Sequence, residues 1–438
     1  MDLVADEPHP AEVDRVEVLT AAAADQDGTA AEFSPWRAVV GFGVVSLAAD
    51  MVYEGARSVT GPLLASLGAS AVLVGLVTGA GEAAALVLRL VFGPLADRSG
   101  RYWTLTVAGY GLTAVCVPLL AVTPFLGGAG LTVACVLLLA ERTGKAVRSP
   151  SKSALLAQAA AHVGMGRGLG VHKALDQVGA FAGPLIVAAL IAVTGVIWPA
   201  MLALAVPGAG AVALLVWLRR RIPAPASDPA LSGSTVTRPA AKPALRDVLR
   251  AGAGADLPRD FFRFAYSSAA TTAGLVTFGV ISFHLTTEKL LPLAAIPVVY
   301  AAGMAAAAVA ALVTGFSYDR HGGRVLYVLP LLVTAVPALA FSSVATVAVV
   351  GVLVWGAGVG LQDSTVKALV ADLVPGPRRA TAYGVFAAIQ GGAAVIGGGA
   401  AGYLYSRSIP LLVAVVALTQ VAALVLLMLA LRGRRTDD

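Results

Sequence analysis

Twelve apolar runs, each near the length a helix needs to cross hydrocarbon, follow one another along this chain with only short polar breaks. They lie at 36–67, 71–96, 103–123, 126–146, 166–193 and 197–218, then at 261–286, 291–316, 325–341, 344–370, 380–405 and 410–431. About 20 apolar residues suffice for one helical crossing. Inside a bilayer every backbone N–H and C=O must be bonded within the protein, so runs of this length read as helices. Only 13% of the residues are charged, against roughly 25% in a soluble domain. A string of soluble domains is thereby excluded. The expected fold is an all-α membrane protein of twelve transmembrane helices.

Basic residues set the expected orientation. Arg98, Arg101, Lys145, Arg148, Arg219, Arg220, Arg221, Arg378, Arg379 and Arg432 fall at alternate breaks, on one side of the membrane. The other side receives only Lys289 and Arg407. Such a bias places the rich side, and both termini, in the cytoplasm of a bacterial cell. The net charge of +6 is accounted for by these clusters, and no nucleic-acid partner is expected. The start, "MDLVADEPHP", is acidic and has no apolar core of a signal peptide. Residues 1–34 are expected to be a disordered tail, 35–219 the first bundle, 259–431 the second and 432–438 a short tail. Residues 220–258, rich in Pro, Ala and Ser, read as a flexible linker with a short surface helix near 244–250. Cys116 and Cys135 sit in apolar runs as small core residues, and no metal site or cofactor is expected.

The two halves repeat one another. "GPLADRSGR" starts at Gly93 and "GFSYDRHGGR" at Gly315, each directly after an apolar run. Further on, "ALLA" (154–157) matches "ALVA" (368–371), Gly170 matches Gly384 and Gly183 matches Gly397. Parallel repeats of six helices imply two bundles related by a pseudo-two-fold axis along the membrane normal. These residues resemble the Major Facilitator Superfamily of secondary transporters over about 36–432. The two motifs look like the superfamily's loops between helices 2 and 3 and between helices 8 and 9. Gly170, Gly179, Gly183 and Pro184 are similar to its antiporter-associated pattern in helix 5, although Val187 and Ala188 replace two expected glycines. The resemblance implies that helix 5 packs on the opposite half, that helices 1, 4, 7 and 10 line a cavity, and that 3, 6, 9 and 12 face lipid. "DMVYEGARSVTGPLLASLGAS", "ERTGKAVRSP" and "GVHKALDQVGAFAGP" look like one bacterial permease branch, which usually has an Arg-Asp pair where this chain has Lys152-Ser153.

The motif residues have physical readings of their own. Gly93 permits close helix approach and Gly100 a tight turn. Asp97, flanked by Arg98 and Arg101, is expected to act as a latch that is closed when the inner mouth is closed; Asp319 and Arg320 repeat it in the second half. A static anchor is the other reading.

A charge at mid-membrane costs about 2.5–3.5 kcal/mol even on the mildest scale, so buried charges should face a cavity or a partner. Asp50, Glu54 and Arg57 share one face of the first run. There Arg57 can neutralise one carboxylate and leave the other to titrate, or all three can form a fixed network. Glu82 is a second candidate carboxylate, with Arg89 as its possible partner. Asp176 is expected to couple protons, bind substrate, or pair with Lys173 or Arg142; His172 is expected to bond to a neighbouring helix. Arg142 is positioned to bind an anion or hold a carboxylate of helix 1 or 5, while Lys145 and Arg148 read as inner-face anchors. Asp363 and Lys367 form an i, i+4 pair, and Tyr53, Phe278 and Trp355 could shape an apolar pocket. The function expected is transport of a small molecule by a monomer through alternating access. Proton-coupled efflux leads, with uptake by symport or uniport as the alternative. No phosphate loop, metal-ligand cluster or nucleophile elbow is present to suggest an enzyme.

Overall fold

The computed structural model describes residues 34–222, 257–374 and 378–432. The expected tails, the linker with its surface helix, and Lys367 lie outside the described residues. Among the described residues twelve helices run from end to end. In the first half they are α1 (Pro35–Ser58, continued by Thr60–Ser66), α2 (Ala71–Val87, continued by Arg89–Ser99), α3 (Tyr102–Leu119), α4 (Gly130–Ala161), α5 (Met165–Thr194) and α6 (Trp198–Ala203, continued by Ala205–Arg221). The second half has α7 (Arg259–Gly274, continued by Phe278–Thr287), α8 (Ala295–His321), α9 (Val328–Ala340), α10 (Ala345–Leu373), α11 (Arg379–Arg407) and α12 (Ile409–Arg432). Ten segments meet a strict test of length and apolarity. One of them, Ala295–Ala340, spans 46 residues and contains two crossings, α8 and α9, joined through the turn Gly322–Tyr327. The twelfth crossing, α4, fails the test because it carries Glu141, Arg142, Lys145, Arg148 and Lys152.

Each half repeats the same neighbours. α1 packs on α5 and α6 as α7 packs on α11 and α12, and α4 joins α2 and α3 as α10 joins α8 and α9. Burial follows the same order. In α1 and in α7 61% of the most apolar window is buried, against 33% in α6 and 28% in α12, which places the first pair centrally and the second against lipid.

Helices in lipid gain nothing from the hydrophobic effect between themselves and associate through close packing, for which glycine is suited. Gly-x-x-x-Gly pairs occupy the tightest crossings. Gly179 and Gly183 of α5 abut the backbone of Leu47 and Met51 in α1. Helix 5 therefore uses its glycines within its own half, not against the opposite half, and Gly170 faces open space. Other residues of α5 do meet the opposite half, at α8, and the tight glycine crossing between the halves is that of α11 with α2, where Gly398 and Gly402 lie against Gly75 and Ala71. Gly397 meets the backbone of Ala273 in α7 as Gly183 meets Met51 in α1, so the sequence repeat is also a repeat of contacts. At the loop motif, Gly100 takes a left-handed φ of 62° and ends α2, and a Cβ added at Gly93 would lie 4.0 Å from Pro150 of α4.

Two breaks shape the centre. α1 kinks at Val59, and α7, expected as one rod, is interrupted at Leu275–Thr277. The freed carbonyl of Val276 accepts from the Trp355 indole at 2.9 Å. An unpaired carbonyl is costly inside a membrane protein, and the Trp355 indole satisfies this one.

Candidate functional site

Between the halves lies a cavity of about 620 Å³. Its walls come from α1, α2, α4 and α5 on one side and from α8, α10 and α11 on the other. They continue past Leu90, Ser149, Lys152 and Tyr383 toward the end that carries the Gly93–Arg101 loop, hereafter the basic end. The far end is sealed. There Gly61 of α1 sits against Gly279 and Ser282 of α7, α2 crosses α11, and Thr78 and Thr277 share a hydrogen bond at 2.8 Å.

The charged side chains expected to matter are brought together, but with different partners. Arg57 does not neutralise Asp50 or Glu54. It pairs with Glu82 of α2 at 2.9 Å and donates to the Tyr53 hydroxyl at 2.9 Å. Sharing a helix face put Arg57 near its own carboxylates, but a neighbouring helix supplies a better-directed acceptor. Arg142 likewise holds no carboxylate of α1 or α5. Its Nε pairs with Glu141 at 3.0 Å, it lies 3.7 Å from Glu82, and it donates to the Tyr53 hydroxyl. Arg89 is not the partner of Glu82; its Nε is buried without a hydrogen bond. Glu54 is buried and accepts a hydrogen bond from Tyr300 of α8, a direct link between the halves.

Asp50 of α1 and Asp176 of α5 both line the cavity, each one helical turn from the contact of Leu47 with Gly179. Two carboxyl groups can hydrogen-bond to each other only when one of them carries a proton, since an ionised carboxylate only accepts. Asp176 is held by Lys173 at 2.7 Å. His172 bonds to Ser46 of α1 at 2.9 Å. Asp363 is exposed on the cavity wall formed by α10.

Lys145 and Arg148 are not inner-face anchors: both line the cavity. Arg148 is buried, donating to Thr113 and lying 4.7 Å from the Tyr110 ring centroid. The Lys145 ammonium lies 3.8 Å from the centroid of Tyr53, an electrostatic attraction to the ring face. Phe278, Tyr300 and Trp355 form one aromatic cluster, with Phe278 and Tyr300 centroids 4.6 Å apart. Tyr300 and Gln390 were not singled out by the sequence. Gln390, a polar side chain within an apolar run, carried a usable signal, whereas Tyr300 carried none.

At the basic end, the loop motif is open to solvent. Asp97 accepts from Tyr102 at 3.1 Å, within its own half, and Arg98, Arg101, Asp319 and Arg320 are exposed. Among the described residues no group of three or more His, Cys, Asp or Glu side chains is placed to hold a metal ion.

Known proteins place this architecture. A sequence profile of the Major Facilitator Superfamily matches residues 42–304 and 261–438. Relatives from Mycobacterium tuberculosis and Mycobacterium bovis, each described as an uncharacterized protein, are 52% identical over 399 residues, covering 90% of this chain and 93% of their own. Among solved structures, a mutant of the nucleoside transporter NupG superposes with a TM-score of 0.71 at 13% identity, over 90% of this chain and 99% of its own. A POT family transporter in complex with 5-aminolevulinic acid gives 0.67 at 13% identity, over 90% and 95%. A bacterial homolog of the human lysosomal transporter Spinster, inward-facing and unoccupied, gives 0.62 at 15% identity, over 92% and 96%. At such identities the superpositions speak to the fold alone.

Proposed function

The chain belongs to the Major Facilitator Superfamily, and from that premise we propose that it is a monomeric, proton-coupled secondary transporter that exports a small molecule by alternating access. The family and fold are those of membrane transporters, with a multi-pass helical body. The observation that carries the proton-coupled reading is the Asp50–Asp176 pair lining the cavity. A pair that shares one proton binds and releases it as its surroundings change from one side of the membrane to the other.

The concentration of Lys and Arg at the basic end supports its placement in the cytoplasm. The conformation described then opens inward, with the far, external end sealed by α1–α7 and α2–α11. On export, substrate enters from the cytoplasm while Asp50 and Asp176 hold no shared proton. The halves rock, substrate leaves outside, and a proton taken up between the carboxylates accompanies the return.

The reading is tested in proteoliposomes with a pH-sensitive dye, screening a metabolite and drug panel. Export predicts that an opposing inward proton gradient accelerates efflux and that a protonophore abolishes the acceleration. Acceleration of flux in the same direction as the protons would instead mark uptake by symport, and flux indifferent to the gradient would remove proton coupling.

Asp97 has a second part in this scheme. Exposed at the open basic end, it is free to engage the other half when that end closes. Asp97→Asn is expected to slow exchange several-fold and to raise the fraction of molecules open at the basic end, as read by spin-label distances across that mouth. Unchanged distances and rate would leave the motif as a static anchor.

A further inference from the structure

Four cations of the cavity have no carboxylate within ion-pair distance among the described residues. They are Arg89 on α2 and Lys145, Arg148 and Lys152 on α4. The neutral groups that hold them are few: the Tyr53 ring for Lys145, Thr113 and the Tyr110 ring for Arg148, and Ser46 at 3.1 Å for Lys152. Arg89 Nε has no hydrogen-bond partner, although it is buried. Of the carboxylates that line the cavity, Glu82 is held by Arg57, Asp176 by Lys173 and Glu54 by Tyr300, while Asp50 and Asp363 form no ion pair with any of the four cations.

Lys145, Arg148 and Lys152 follow one another at i, i+3 and i+7, so they form a stripe on one face of α4 running toward the basic end. Charges inside the membrane body are kept where they face a cavity or a partner and mark substrate or ion pathways, and these four face the cavity with no ion-pair partner among the described residues. On the facing wall Gln362 donates from Nε2 to Thr272 at 2.9 Å, while its Oε1 is buried and has no partner. A buried acceptor left bare costs about 1–3 kcal/mol. The cavity thus offers an anion subsite on one wall and, on the other, the bare Gln362 Oε1 beside the exposed Asp363 carboxylate.

We propose that the transported molecule is a small organic anion that also carries a hydrogen-bond donor. Its carboxylate or phosphate is received between Arg89 and Lys145. Arg148 and Lys152 form the approach from the basic end, and the donor meets Gln362 Oε1. An arginine fork suits the planar, two-oxygen face of such a group. The proposal rests on the transport reading of the same cavity and adds the charge class of the cargo to it.

The test uses the full chain in lipid nanodiscs and reads the thermal unfolding midpoint at fixed ionic strength. The probes are hippurate, a carboxylate with an amide N–H, and benzylammonium, a smaller aromatic ion of opposite charge. Hippurate is expected to raise the midpoint saturably at millimolar concentration, as any ligand of the folded state does, and benzylammonium is expected to leave it unchanged. Arg89→Gln with Lys145→Gln should weaken the hippurate effect about ten-fold or more, and Arg101→Gln, at an exposed site, should keep it. Should the double variant fail to fold, the opposed probes on the native protein still decide. Benzylammonium acting as well as hippurate, an equal hippurate effect in the folded double variant, or no hippurate effect up to tens of millimolar each overturns the proposal. Binding is read without flux or a pH gradient. A protein that moves no protons can therefore pass this test, and a proton-coupled one can fail it.

Discussion

Asp176→Asn is expected to cut proton-driven transport by at least ten-fold, about 1.4 kcal/mol in the driven step, while substrate exchange without a gradient continues. Asparagine is close to aspartate in size and can still bond to Asp50, so packing between α1 and α5 is retained. What it lacks is the ability to take up and release a proton. Lys173 loses its partner, but that side chain is 67% exposed and can turn to water at little cost. Asp50→Asn should have the same effect. The double variant should be no worse than either single one, because two groups that share one proton act as a unit and their losses do not add. Glu54→Gln makes the contrast: a carboxamide oxygen still accepts from Tyr300, so coupling should survive. Dye-reported proton movement during substrate flux in proteoliposomes separates these outcomes. Full coupling in both Asp50→Asn and Asp176→Asn would refute the shared-proton scheme.

Hydropathy located the helices because a bilayer demands apolar length, and that demand is written in consecutive residues. It was less reliable where a helix has two unlike faces. The sequence placed the end of α4 near 146, but the helix runs to Ala161 because Lys145, Arg148 and Lys152 turn into a cavity and need not meet lipid. The break in α7 was hidden for a different reason. The residues at 275–277 are ordinary for a membrane helix, and the partner that makes the break tolerable, Trp355, lies 79 positions away. Partner choice was the least legible feature. Periodicity says which residues share a face of one helix, so Asp50, Glu54 and Arg57 were grouped. Which neighbour approaches that face depends on packing between helices, and packing gave Arg57 to Glu82 and Glu54 to Tyr300. The internal repeat carried further, since Gly183 and Gly397 meet equivalent backbones in the two halves.

The second large effect is expected at the far-end seal. A Cβ at Gly75 would collide with the Gly398 carbonyl, and one at Gly398 with the Gly75 carbonyl; Gly79 and Gly402 stand in the same relation to Ala394 and Ala71. The obstacle is backbone in every case, so no rotamer change relieves it. Gly75→Leu must therefore push α2 and α11 apart, and it does so only in the conformation where that end is closed. The conformation open at the far end, where the two helices separate, has room for the side chain. A relative penalty of about 3 kcal/mol between two such states shifts their ratio by roughly 150-fold. Transport should fall by more than ten-fold because one half of the cycle becomes inaccessible, while folding and membrane insertion are maintained. Spin labels at Ser70 and Ser406, exposed at the far ends of α2 and α11, should move from one short distance to a longer one. Gly210→Leu, on α6 with open space around it, controls for bulk in a helix and should change neither. Native-like distances with native-like flux in Gly75→Leu would mean that the seal lies elsewhere, at the α1–α7 contact. Loss of flux without a change in distance would show that the crossing has to be tight for motion itself, since a seal that only excludes water would tolerate a small gap.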